Sequence, residues 1–130
     1  MNTTSSHTFW GAYFVVQTLL CALWWFAILS SDQMAAYFAP DQAHAVSYLR
    51  MFWLADLICV VGGSALCAMT IFARHRLIQQ ALWWTSGAIT FASLYCVALW
   101  LDTQQAGLCV ALMVPATLMT VCAAQLLTDS

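Results

Sequence analysis

Most of the carboxylates in this sequence lie outside its apolar runs, but Asp56 stands inside one, in the stretch MFWLADLICVVGGSALCAMTIF. A charge in such surroundings costs several kcal/mol, so Asp56 should face the bundle, find a partner or stay protonated. By type, Arg50 is the obvious counter-ion. Six residues along a helix amount to about 600°, however, which leaves the two side chains some 120° apart around the axis. Arg50 is therefore a poor direct partner from the same helix. Counting depth along antiparallel helices gives better ones: Asp56 falls level with Tyr95 and Cys96, with Trp24 and Trp25, and with Cys109 and Val110. A phenol O–H and an indole N–H both donate to a carboxylate. Asp56, Tyr95, Trp24, Trp25 and Arg50 are thus the candidate ligand-binding set. Its chemistry would be a binding pocket or a proton-handling carboxylate; the competing reading is an Asp satisfied by Tyr or Trp that fixes helix register, or one that simply lies near the outer interface.

A second polar level has no charge. Gln17 is level with Ser64, with Ser86 to Thr90, and with Thr117 to Thr120. Side chains of this kind hydrogen-bond between helices in lipid, at roughly 0.6 kcal/mol each. Gln17, Ser64, Ser86, Thr90 and Thr117 read as structural glue. Small residues recur at fourfold spacing in Ser64 and Ala68, Ala88 and Ala92, and Gly107 and Ala111. That spacing lets backbones approach closely. Gly87 belongs to the same small-residue stretch. Pro115 falls mid-run and should kink its helix, freeing the carbonyl of Ala111.

Other chemistry finds little to stand on. The six Cys (21, 59, 67, 96, 109 and 122) stand singly, with no CxxC or Cys/His framework, and read as small apolar packing residues. Asp32, Asp41 and His44 are the one metal-like set, without a nameable fourth ligand. No metal or other cofactor is expected. His7, His44 and His75 all fall outside the expected spans, so no paired histidines face a haem. No nucleophile motif, phosphate loop or zinc-protease motif occurs.

These residues are positioned by long apolar helices. The chain has 130 residues, of which 64% are hydrophobic and 6% charged, with three Arg, five Asp, no Lys and no Glu. A water-soluble surface needs roughly a quarter of residues charged, so the surrounding solvent must be lipid. The balance of −2 offers no basic surface for nucleic acid. Four apolar runs, about 8–29, 51–72, 81–101 and 105–127, each approach the ~20 residues that cross a bilayer as a helix. The first is too long for a signal-peptide core and has no positive flank, so it reads as a retained span. Two connectors are short, 73–80 and 102–104. Short links make antiparallel neighbours, giving an all-α integral-membrane four-helix bundle with up-down-up-down order in a single transmembrane domain. The connector 30–50 holds an apolar cluster, Met34 to Phe38, suited to the headgroup level. Pro40 and Asp41 then mark a helix start.

Arg74 and Arg76 place the second connector in the cytoplasm by the positive-inside tendency, and both termini with it. Trp10, Trp53, Trp83, Trp84 and Trp100 fall near span ends, as an aromatic belt would. The format is shared with small multidrug-resistance transporters, whose carboxylate lies in the first helix, and with sterol-isomerase-like and DoxX-like proteins. No motif selects any of them, and topology does not carry function. The sequence points to an accessory or ligand- or lipid-binding bundle, with catalysis not expected. Its partners would be the bilayer, an apolar small molecule or lipid, and a homo-oligomer or larger membrane complex. The competing reading is an intramembrane enzyme or small oligomeric transporter working through Asp56 with Tyr95.

Overall fold

A computed structural model describes residues 3–38, 47, 50–104 and 107–128. Helix α1 runs Thr3–Ser30 and a short α2 runs Asp32–Phe38. The second span is built from α3 (Trp53–Asp56), a π-helical segment (Leu57–Gly62) and α4 (Gly63–Phe72). Helix α5 covers Ile78–Thr103 and α6 covers Gly107–Thr128. Four of these helical stretches, Ser6–Ser30, Trp53–Phe72, Ile78–Thr103 and Gly107–Leu127, are long and apolar enough to cross a membrane. By length and composition the chain is a small, all-α, multi-pass membrane protein.

The helices overrun the expected spans because hydropathy marks the lipid-crossing part and not the helix ends. Ile78, Gln79 and Gln80 belong to α5, and His7, expected outside the first span, lies within α1. The π-helical stretch is a second departure. Ile58, Val60 and Val61 are β-branched and Gly62 and Gly63 adjoin them, a composition that holds an α-helix weakly. The expected start near Asp41, the Pro40 turn, His44 and the start at Gln105 lie outside the described residues.

Helix ends are closed locally. The second span stops where Arg74 turns left-handed (φ 48°). Its N–H reaches the Ile71 carbonyl at 3.2 Å and the His75 N–H reaches Thr70 at 2.9 Å, a Schellman closure with Arg where Gly is usual. Gln104 (φ 56°) ends α5 in the same left-handed conformation.

Three apolar clusters stack along the bundle. At the arginine-loop end Trp10 and Phe14 meet Cys67, Ile71, Leu82 and Ala123. Val60, Ile89 and Ala92 form the middle. At the far end Trp25 and Ile28 meet Ala35, Cys96, Leu99 and Cys109. Trp10 is 6% exposed and part of the first cluster, not of an aromatic belt, whereas Trp53, Trp83, Trp84 and Trp100 are exposed. The helix α1 packs chiefly on the second span and α5 chiefly on α6. Much of each span faces outward: the buried share is 22% for the first and fourth and 39% for the second and third. An apolar exterior of that extent is what lipid requires.

Close approach falls at two glycines. A Cβ on Gly11 would lie 2.7 Å from the Phe72 ring, and one on Gly63 would lie 2.7 Å from Thr85 Oγ1. Gly87, by contrast, has open space around it, so its place in the small-residue stretch serves no contact. Pro115 sits inside an uninterrupted α6.

Candidate functional site

The level of Gln17 is a hydrogen-bond network. Its Nε2 donates to Ser64 Oγ at 2.9 Å, and Thr120 Oγ1 lies 3.2 Å from its Oε1. The Thr120 hydroxyl also lies 2.8 Å from the Ala116 carbonyl and so has one proton for two acceptors. Tyr13 donates to the same carbonyl at 3.0 Å, and Ser86 donates to the Thr120 carbonyl at 3.4 Å. The hydroxyls of Ser93 and Thr117 meet, and Thr117 reaches the Ile89 carbonyl at 3.2 Å. Thr90 departs from the expected layer: its hydroxyl turns back to the Ser86 carbonyl of its own helix, at 2.6 Å. Tyr13 and Ser93 were missed from the sequence because depth was counted from Gln17 alone. Together these bonds tie the α1/second-span pair to the α5/α6 pair, where apolar contact between α1 and α6 is sparse.

The level of Asp56 is arranged otherwise. Asp56 is half-buried and lines a small cavity of about 30 Å³ with Trp24, Trp25, Phe52, Ala92, Tyr95, Cys96 and Met113. All four spans contribute. The Trp25 side chain is a hydrogen-bond partner of the Asp56 carboxylate. Phe52 and Tyr95 stack with ring centres 3.9 Å apart at 33°, making one continuous aromatic wall. A depth count from the sequence brings Trp24, Trp25, Tyr95 and Cys96 to this level, and also Cys109 and Val110, which do not line the cavity; Phe52, Ala92 and Met113 need rotational information that an all-apolar helix does not provide. The π-helical segment begins directly after Asp56, and such segments recur at functional sites.

Arg50 is not at this cavity. Its guanidinium donates to Asp32 Oδ1 at 2.7 Å and to the Ile28 carbonyl at 3.3 Å. A turn at Phe52 interrupts the helix between Arg50 and Asp56, so the two do not share one helical register, and the Asp32 carboxylate at the head of α2 takes the Arg50 charge. No basic side chain is found among the described residues lining the cavity.

The cavity admits one or two water-sized groups, since one water needs some 10–15 Å³. Whole drug-sized molecules occupy roughly 300–1,000 Å³ and do not fit. A carboxylate and a phenol sharing such a space can fix a polar headgroup or hold a proton. The neighbouring thiols of Cys96 and Cys109 are hydrogen-bonded to one another, and the cysteines of the described chain are free. Among the described residues no group of three His, Cys, Asp or Glu could hold a metal ion, and Asp32 is engaged by Arg50. No protein-family model, curated protein or solved structure matches the chain.

Proposed function

We propose that this chain is a ligand- or lipid-binding membrane bundle, with its helices in up-down-up-down order and both termini on the cytoplasmic side. The observation that carries the reading is the Asp56 cavity. A half-buried carboxylate there is surrounded by aromatic rings, with no basic side chain among the described lining residues. Keeping a carboxylate at that depth works against folding in lipid, and intramembrane ionisable groups are retained where they bind or carry something. The cavity's size favours a ligand that enters by its polar end and leaves its apolar part among the lipids.

The competing transporter or enzyme reading draws support from Tyr95, which shares the cavity with Asp56 and offers a second proton-bearing group. One experiment separates binding from a merely structural role. The full chain is purified in lipid nanodiscs and native mass spectra are compared for wild type and Asp56→Asn. The binding reading expects a retained lipid or small molecule on the wild type that is lost from a folded Asp56→Asn. Identical spectra from two equally stable proteins refute it.

A further inference from the structure

We propose that the Asp56 cavity receives an organic ammonium group, carried by an ethanolamine-type lipid headgroup or by a free alkylamine. The inference rests on the binding reading above and names its ligand class.

Four features of the site converge on a cation. The first is charge: Asp56 brings a carboxylate into an apolar bundle, and no described lining residue is basic. Arg50, the nearest Arg in sequence, is held by Asp32. A bound cation supplies the missing opposite charge. The second is the wall. Trp24, Trp25, Phe52 and Tyr95 surround the carboxylate, and the electron-rich faces of aromatic rings attract ammonium groups, most strongly when desolvated. The third is size: about 30 Å³ suits a primary ammonium, which is close to water in bulk. The fourth is position. Asp56 is the fourth residue of the span Trp53–Phe72, about 5 Å along the axis from its start at 1.5 Å per residue. A headgroup amine reaches that depth while its chains stay in the bilayer.

The same features turn other ligands away. An anion would meet a carboxylate. A hydrated divalent metal needs six or more oxygen ligands, and here it would find one carboxylate among aromatic faces. A neutral apolar ligand would leave the carboxylate without a partner. The carboxylate has Trp25 as a hydrogen-bond partner and lines the cavity.

The test uses the full chain in phosphatidylglycerol nanodiscs, read by tryptophan emission and by the thermal midpoint. Ethanolamine is titrated against ethylene glycol, its neutral counterpart. In a second arm the discs contain phosphatidylethanolamine. We expect a saturable response to ethanolamine and none to ethylene glycol. Asp56→Asn should weaken the response at least tenfold, and Asp102→Asn, exposed and about two helical turns beyond Tyr95 on α5, should leave it unchanged. A response to the free amine alone assigns a soluble amine. Retention of phosphatidylethanolamine alone assigns the headgroup. Equal responses to ethanolamine and ethylene glycol, with no preference for phosphatidylethanolamine, overturn the ammonium assignment. That comparison uses only wild type and decides the matter even if Asp56→Asn fails to fold. Asp56-dependent retention of a non-amine lipid overturns the ammonium class while keeping the binding reading; no Asp56-dependent ligand of any kind overturns both.

Discussion

At the level of Gln17, amide and hydroxyl groups from four helices hold one another. At the level of Asp56, a carboxylate shares a cavity with four aromatic rings. Both levels draw on every span, and both place polar atoms in an apolar bundle. They differ in what the polar atoms do for the fold. The Gln17 groups are neutral, so each bond across helices is a small gain that needs no outside partner. Asp56 is an ionisable group with a hydrogen-bond partner in Trp25 and no basic side chain among the described residues that line its cavity. One level is complete in the folded chain, and on the binding reading proposed above the other is completed by a ligand. On that reading, a membrane protein with few polar residues divides them between holding helices together and holding a ligand.

Substitutions can break or sharpen that contrast. The largest effect is expected where the two levels are joined. Gly63 lies between them, against Thr85, and Gly63→Val should destabilise the bundle by about 3 kcal/mol through overpacking. Gly87→Val, in open space, should cost nothing measurable. Unfolding by a denaturing detergent in mixed micelles checks both. Next come paired replacements of the two polar hubs. Asp56→Leu should raise stability by about 1 to 2 kcal/mol, because it removes a carboxylate from lipid. Gln17→Leu should lower it by about 1 kcal/mol, since two interhelical bonds go. If both changes destabilise by the same amount in the same assay, the two levels are alike and the contrast is wrong. The smallest effect belongs to the Arg50–Asp32 pair. Its Asp32 side chain is 92% exposed, so Arg50→Gln should shift stability by less than about 0.5 kcal/mol. A large loss there would mean that the pair positions the Asp56 end, and thermal midpoints at two salt concentrations would reveal it.

Depth was legible in the sequence, and rotation was not. Rise per residue is fixed, so counting from span ends put Trp24, Trp25 and Tyr95 level with Asp56 and put Ser64 and Ser86 level with Gln17. Around the axis the spans are apolar on all sides, because lipid and core ask for the same side chains. Trp10 therefore read as an interface residue although it is core, and Gly87 read as a contact although it faces open space. Thr90 was at the right level but bonds within its own helix. Arg50 and Asp56 are separate in the structure, but a turn at Phe52 parts them, which the angle count along one helix did not include. The π-helical stretch left a weaker trace, in the β-branched residues and the two glycines that follow Asp56.

That stretch has a consequence for how the chain tolerates changes of length. Removing one residue from an α-helix rotates everything beyond it by about 100° and shortens it by 1.5 Å. A π turn closes its hydrogen bonds over five residues instead of four, so it holds one residue of slack. Between Leu57 and Gly62 the chain can give that residue up and become plain α-helix, with Asp56 and Ser64 each keeping the face they now present. Within Gly63–Phe72 the same loss would swing Cys67 and Ile71 out of the core. The joint between the two polar levels is thus the place in this span where a one-residue deletion can be absorbed.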